Sequence, residues 1–455
     1  MSNTPIIYNI SAPKALQATA ELPASKSISN RALVINALAS RGSATAPSLE
    51  AAPSLSQAGV ANSERVFERE QRHFLPQNLS DCDDTAVMVR ALRDMPAVID
   101  IGAAGTAMRF MTAYLAVTPG EHVITGTERM KHRPIGILVD ALRRLGAGIA
   151  YEGEEGFPPL RVKGQPLNGG SIEIPGDMSS QYISALLMIA PTLKDGLELR
   201  LKGAVISRPY IDLTLWMMRE FGAEADWTSG NTVAVRPTPY RQRVYSIEND
   251  WSAASYWYEM MALTRDADAE LRLPGLTDGS KQGDSTVRYI FSMLGVRTTF
   301  GTLPAANNLH GALLRKNNRS VSRLDYDFTN SPDLAQTLVA TCAALGTRFH
   351  FRGLQTLKIK ETDRIEALKR ELRKLGIVIT DRNDAELIWD GQRCEPTFEP
   401  IDTYDDHRMA LAFAPLALVF PKISIRNPHV VTKSYPHFWS VLSRSGFSVE
   451  TAEEP

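Results

Sequence analysis

Apolar positions along the chain fall into two interleaved patterns. In the first, a short β-like lead passes through a turn of Gly, Pro, Asn, Asp or Ser into a helix dense in Ala, Leu and Met. It occurs six times: "LPASKSISNRALVINALA" from Leu22, "IDIGAAGTAMRFMTAYLAV" from Ile99, "IEIPGDMSSQYISALLMIA" from Ile172, "YSIENDWSAASYWYEMMAL" from Tyr245, "YDFTNSPDLAQTLVATCAAL" from Tyr326 and "IDTYDDHRMALAFAPLAL" from Ile401. The spacing is about 75 residues, a fixed period of the kind that marks a repeat architecture. In the second pattern a helix end is closed by Gly and leads into β-prone sequence: "VDALRRLGA", "LWMMREFGA", "YIFSMLGV", "LKRELRKLGI" and "VLSRSGFSV". "VMVRALRDM" from Val87 is a weaker counterpart in the first unit. Gly just past the last turn is the usual helix stop, because it takes left-handed backbone without a Cβ clash. Each unit therefore reads as strand, helix, strand, helix, strand, strand, and the chain as α/β.

Six such units are more than one core holds. A chain of 455 residues, 44% hydrophobic, divides them three and three, with a seam near "PTPYRQRVYSIEND", residues 237–250. Residues 43–78, Ala/Ser/Pro-rich and then charged, lengthen the first unit and read as a surface insertion. The longest apolar run, "MALAFAPLALVF" from Met409, falls short of the roughly 20 residues of a membrane span and reads as a buried helix.

Charge and cysteine content narrow the class. With 50 Lys and Arg against 51 Asp and Glu, the formal net charge is -1, and no global basic field favours nucleic acid. The three cysteines, Cys82, Cys342 and Cys394, form neither a disulfide framework nor a zinc spacing. The N-terminus lacks the charged and apolar regions of a signal peptide. The expectation is a soluble globular protein of a reducing compartment. No GxxxxGK[ST], GxGxxG or HExxH motif occurs, so neither nucleotide binding by those routes nor a zincin site has support. Asp405, Asp406 and His407 are adjacent and point in different directions, a poor metal set.

What the pattern does concentrate is hydrogen-bond donors at helix starts. Ser27 and Arg31 are four apart, as are Lys26 and Asn30, so each pair shares a helix face, while Ile28, Ala32, Ile35 and Ala39 turn to the core. A helix start adds free N–H groups and the positive dipole end, which together make an anion site. Arg129, Lys131 and Arg133 precede another helix. Ser179, Ser180 and Gln181 open a third, and Ser207, Arg208 and Tyr210 a fourth. Lys360 and Arg364 share a face with Glu361 beside them, His407 and Arg408 open the sixth repeat's helix, and Lys433 follows. If these starts converge, the ligand carries several negative charges. Asp333 and Glu361 are candidates for proton transfer in such surroundings. By position alone, Asp333 fits equally an N-cap beside Pro332, and Glu361 a first-turn acid favoured by the helix dipole.

The segments "ASKSISNRA", "GAAGTAMR", "RMKHRPIG", "DMSSQYISALL", "SRPYID", "KETDRIEAL" and "YDDHRMA" resemble the signature segments of the EPSP synthase (3-phosphoshikimate 1-carboxyvinyltransferase) family. The resemblance runs in order from about residue 20 to the C-terminal "TKSYPHFW". It implies an enolpyruvyl transferase fold, an inside-out α/β barrel of two domains with three βαβαββ repeats each. Residues 1–20 would join 246–455 as one domain and 21–245 would form the other, with the active site in the cleft between them. The implied reaction moves the enolpyruvyl group of phosphoenolpyruvate to the 5-hydroxyl of shikimate 3-phosphate and releases phosphate, a step of the shikimate pathway toward chorismate and the aromatic amino acids.

Carried over by position, the resemblance makes Lys26, Ser27, Arg31, Ser179, Ser180, Gln181, Ser207, Tyr210, Asp333 and Lys360 ligands of shikimate 3-phosphate. Lys26, Gly105, Arg129, Gln181, Arg364, Arg408 and Lys433 become the phosphoenolpyruvate pocket. Asp333 becomes the base for the 5-hydroxyl and Glu361 the proton donor and acceptor at the methylene carbon, with Lys26 and His407 also catalytic. No metal or organic cofactor is implied, and the family precedent is a cytoplasmic monomer acting on small molecules, not on nucleic acid or membranes. The chain departs from the family pattern at Ala103, where Asn is usual, at Phe110, where Pro is usual, and at Thr356, where a substrate-contacting Asn is expected. The first two bear on glyphosate response rather than on the reaction. One alternative is UDP-N-acetylglucosamine enolpyruvyl transferase, which uses a loop cysteine that residues 120–135 lack. Others are a non-catalytic phosphometabolite-binding protein, which needs the cations but not the acids, and RNA-end processing, which needs a basic surface.

Overall fold

The computed structural model describes residues 6–40 and 76–453; most of the stretch 43–78, read above as a surface insertion, lies outside the described residues. All six helices of the first pattern are present, as Lys26–Ala39, Gly105–Ala116, Ser180–Ile189, Trp251–Leu263, Ala335–Leu345 and His407–Phe413. They are buried on nearly every face: within Gly105–Ala116 only Thr106 escapes, and within Trp251–Leu263 only Ser252. A helix apolar all round belongs at the centre of a core, and sheets cover these helices from outside. Lys26–Ala39 differs from the amphipathic stripe expected of it. Asn30, Arg31 and Asn36 are buried along with the Ile28 face, so its polar side faces packed protein.

Among the described residues, four four-stranded sheets share one connectivity. In Val98–Asp100, Gly120–Thr125, Leu160–Gly164 and Gly148–Tyr151, the first pair runs parallel and the remaining pairs antiparallel. The set starting at Gly170–Pro175 and the set starting at Arg323–Asp327 repeat that order. The parallel first pair requires a crossover, which the buried helix supplies. The fourth set shows where local pattern misleads. Its helix is Trp251–Leu263, but the lead at Tyr245 is no strand: Ser246 makes only an isolated bridge to Gln77. The strand beside Glu270–Pro274 is instead Gln17–Thr19, from the other end of the chain. Ile401 likewise makes one bridge to Ile425, and Ile6–Ser11 sits centrally between Ile423–Arg426 and Ser448–Glu453.

The glycine stops hold at four of five positions. Gly146, Gly222, Gly376 and Gly446 all have positive φ, and the residue after each donates its N–H back to the final helical turn. Gly295 does something else. It lies inside the strand Leu294–Leu303, where the register with the neighbouring strand shifts between Leu294 and Val296, so it marks a β-bulge.

The chain folds into two compact units. Unit 1 gathers the described residues 6–23, 81–83 and 248–453; unit 2 gathers 24–40, 76–80 and 84–247. Each has its own continuous apolar core, around Trp257, Phe349 and Leu338 in unit 1 and around Met108, Leu186 and Met217 in unit 2. Among the described residues no helix is long and apolar enough to cross a membrane.

Candidate active site

In unit 1 the folded chain gathers Asp333, Lys360, Glu361, Arg364, His407, Arg408 and Lys433. Arg364, the first residue of helix Arg364–Lys374, is 1% exposed and is the hub. Its Nε and one terminal nitrogen donate to Asp406, at 2.6 and 3.2 Å. Its other contacts are Asp333 at 3.3 Å and Glu361 at 2.9 Å. Burial pulls this guanidinium down, but Asp406, Glu361 and Asp333 outweigh that and hold it above its ordinary value. Arg408 reaches Asp333 at 3.1 Å and donates to the Tyr256 hydroxyl at 3.2 Å. Lys360 stands 3.6 Å from Asp333 and Lys433 3.3 Å from Glu361.

This geometry removes the positional alternatives for both acids. Asp333 lies within the 3-10 turn Pro332–Leu334 and caps nothing; Ser331 is the N-cap residue. Burial pushes the Asp333 carboxyl up, but Arg408, Lys360 and Arg364 hold it well below the usual carboxylate range. Glu361 precedes the helix altogether, because Asp363 is the N-cap and accepts from the Glu366 amide. Lys360 is also outside the helix, so it does not share a helical face with Arg364; both reach Asp333 by different routes.

Three unit-1 residues outside the sequence-derived candidates belong to the same network. Asp406, 0% exposed, pairs with Arg364 and also caps helix His407–Phe413 through the Arg408 amide. Two consecutive left-handed residues, Tyr404 and Asp405, deliver it there. Its N-cap position before "HRMAL" was the available signal. Asp284 is buried and bonded to Ser252; burial and the nearby Asp333 charge push its carboxyl up to about 6. Tyr256 is pushed up to about 12 by burial, against the opposing pull of Arg408. Nothing in local sequence marks either one. Among the described residues no group of three His, Cys, Asp or Glu is placed to hold a metal ion.

In unit 2 the donors lie at four helix starts. Lys26 Nζ pairs with Asp84 at 3.1 Å, an acid signalled only by the run "DCDD". Arg31 is 2% exposed and faces inward. It donates to Thr214 Oγ1 at 2.7 Å, the Ser27 carbonyl at 2.9 Å, Ser184 Oγ at 3.1 Å and the Tyr210 carbonyl at 3.3 Å, and it packs over the Phe110 ring. Burial pulls it down to about 10, so it stays cationic at neutral pH. Ser179 caps the helix that Ser180 begins, accepting from the Gln181 amide, and Gln181 Nε2 donates to Thr106 beside Gly105. Ser207 precedes helix Arg208–Glu220 in left-handed backbone, and Tyr210 lies in that helix's first turn.

The cations near residue 130 separate. Arg129 is exposed on the short helix Glu128–Lys131, and Lys131 pairs with Glu128 at 2.6 Å in solvent. Arg133 lies against Gly105, where an added Cβ would sit 2.7 Å from its guanidinium. Arg109 and Tyr182 fix that approach, both donating to the Pro134 carbonyl. Arg208 leaves the anion-binding set: its guanidinium stacks on Trp227.

The sequence pattern of the family described as EPSP synthase (3-phosphoshikimate 1-carboxyvinyltransferase) matches residues 10–442 of this chain. The chain belongs to the EPSP synthase family. A 3-phosphoshikimate 1-carboxyvinyltransferase of Bacteroides fragilis is 53% identical over 448 residues, covering 98% of this chain and 100% of that protein. One from Shewanella pealeana is 34% identical over 439 residues, covering 94% and 96%. Among solved structures, an EPSP synthase from Acinetobacter baumannii superposes with a TM-score of 0.73 at 20% identity, covering 99% of this chain and 100% of that one. The enolpyruvyl transferase NikO from Streptomyces tendae superposes at 0.66 with 16% identity over 99% and 100%. At such identities these two show the shared enolpyruvyl transferase fold. For an EPSP synthase family member, Phe110 has a visible local role, since its ring lies under the Arg31 guanidinium.

Proposed function

We propose that this chain transfers the enolpyruvyl group of phosphoenolpyruvate to the 5-hydroxyl of shikimate 3-phosphate, giving 5-enolpyruvylshikimate 3-phosphate and phosphate. The observation that carries the reading is the Arg364 hub: Asp333 and Glu361, two carboxylates suited to proton transfer, contact one buried guanidinium while Lys360, Arg408 and Lys433 crowd them. A protein that only held anions would need the cations and not these acids.

Shikimate 3-phosphate is assigned to Lys26, Ser27, Arg31, Ser179, Ser180, Gln181, Ser207 and Tyr210, with Asp333 and Lys360 at the reacting hydroxyl. Phosphoenolpyruvate is assigned to Lys26, Gly105, Arg129, Gln181, Arg364, Arg408 and Lys433. Glu361 gives a proton to the methylene carbon, positive charge develops at C2, and the 5-hydroxyl attacks as Asp333 takes its proton. The tetrahedral adduct then expels phosphate, and Glu361 takes back a methyl proton. Asp333 alone is a weak base, because three cations stabilise its charged form. Substrate phosphate and carboxylate on those cations offset that pull and restore basicity. Holding two polyanions together against their repulsion is proximity and electrostatic preorganisation. The same reading makes the protein a cytoplasmic monomer acting on small molecules without nucleic acid or cofactor, supported by its balanced charge and the family precedent.

The test is phosphate release from phosphoenolpyruvate with and without shikimate 3-phosphate, for the native chain, Asp333→Asn and Glu361→Gln. Release should require shikimate 3-phosphate and fall about 10²–10⁴-fold in each variant. Tight binding of both ligands without release would leave a phosphometabolite-binding protein instead.

A further inference from the structure

Ser207 has φ 52 and ψ 34, the left-handed region that a non-glycine residue enters at a cost, and it is buried. Its hydroxyl does not cap the helix it precedes; its carbonyl accepts from the Tyr210 amide at 3.1 Å, and the preceding Ile206 amide donates to the Gly176 carbonyl at 3.1 Å. Side chains from outside the turn hold the residues that follow it.

The hairpin Ala225–Ser229 and Thr232–Val235 contributes through one indole. The Arg208 guanidinium carbon lies 3.9 Å from the Trp227 ring centroid, a close cation–π contact. The same guanidinium donates to the Gly230 carbonyl at 2.9 Å, at the hairpin turn. The edge of the indole is used as well: Trp227 Nε1 donates to Asp212 Oδ1 at 2.7 Å. Arg208 and Asp212 are four apart and share one face of the helix, so a single side chain grips its first and second turns. The Tyr210 carbonyl of that turn is held by Arg31 and Thr214. The segment Ser207–Tyr210 is thereby tied both to the hairpin and to the helix that carries Lys26, Ser27 and Arg31.

We propose that Trp227 is a positioning residue: clamped on Arg208 and Asp212, it sets the Ser207 turn, and with it the pocket for the phosphate of shikimate 3-phosphate, while leaving phosphoenolpyruvate and the chemical step untouched. This rests on the assignment of Ser207 to that phosphate made above. Trp227 reaches the ligand only through the backbone it fixes.

Steady-state kinetics of Trp227→Leu, Trp227→Phe and Arg208→Ala test it. Trp227→Leu should raise KM for shikimate 3-phosphate about tenfold, with kcat and KM for phosphoenolpyruvate within about twofold. Trp227→Phe keeps the ring face and should lose only about two- to threefold. Arg208→Ala leaves the Trp227–Asp212 bond and should raise KM for shikimate 3-phosphate no more than Trp227→Leu does, and the double variant should fall short of the two effects combined, because both variants weaken one clamp. Equal rises in both KM values, additive losses in the double variant, or a lower Tm with unchanged KM would each overturn the proposal. Calorimetric titration with shikimate 3-phosphate separates the two levels. A native chain that neither binds it nor releases phosphate refutes the assigned function. A native chain that binds it no better than Trp227→Leu refutes the clamp alone.

Discussion

Asp284 and Asp333 show how one environment sends two carboxylates in opposite directions. Asp333 touches Arg408, Arg364 and Lys360 and stays ionised; Asp284 is buried beside that negative charge and is pushed up to about 6. The stability consequence follows from the sign of the shift. A carboxyl whose folded value exceeds its unfolded value binds protons more tightly when folded, so its favourable contribution is full below about pH 4 and is lost as pH rises through about 6. Asp284→Asn removes that loss. The variant should therefore gain stability relative to the native chain as pH goes from 4 to 7, by up to about 3 kcal/mol. Urea unfolding at both pH values checks this; a difference that does not change with pH would mean that Asp284 ionises freely in the fold. The two acids are not equally legible in the chain. Asp333 stands there as one of two readings, and Asp284 not at all, because what distinguishes them is the company they keep across about 50 residues of sequence.

Helix stops are the most legible elements, since a glycine in left-handed backbone is a local requirement. Their energetic weight is not local. At Gly146, φ is +102 and an added Cβ meets nothing within 4 Å, so Gly146→Ala carries only the conformational cost, about 1 kcal/mol. At Gly376, φ is +81 and the Cβ would sit 2.9 Å from the Cys394 carbonyl, which is backbone and cannot turn aside. Gly376→Ala should cost about 2 kcal/mol or more. Denaturant midpoints of the two variants should fall in that order; equal losses would remove the contact from the explanation. Gly295 carries the same sequence signal and forms a bulge, because the short helix Val287–Ser292 ends before it and a strand has already begun. The Lys26–Ala39 helix departs from its expected pattern for a related reason. Periodicity separates apolar from polar faces, but it cannot see that Thr85 covers the polar face through a hydrogen bond to Asn30 Oδ1, and Thr214 and Ser184 through bonds from Arg31.

At the scale of the whole molecule the chain closes on itself. Ile6–Ser11 is the central strand of a sheet whose other members are Ile423–Arg426 and Ser448–Glu453, and Gln17–Thr19 pairs with Glu270–Pro274. Unit 1 therefore needs the first residues of the chain to finish two of its sheets. Deleting residues 1–11 leaves two strands without their shared partner. Limited proteolysis with mass spectrometry should then cut unit 1 at its Ile423–Glu453 end at protease levels the native chain withstands. Native-like resistance would show that those strands are held by the helices alone. Such pairings across more than 400 residues carry a loop-closure cost that local contacts do not.

By itself the amino-acid sequence determined the repeating unit, the buried helix from Met409, four glycine stops and the signature segments of the EPSP synthase family. These rest on residues near one another in the chain, where periodicity, turn chemistry and side-chain type act directly. Only the tertiary structure decided which strand leads the fourth repeat, that Arg31 turns inward, that Arg208 stacks on Trp227, and that Asp406, Asp284 and Asp84 join the charged networks. Each of these depends on a partner brought from far along the chain, and burial and electrostatics act through space, so no local pattern encodes them.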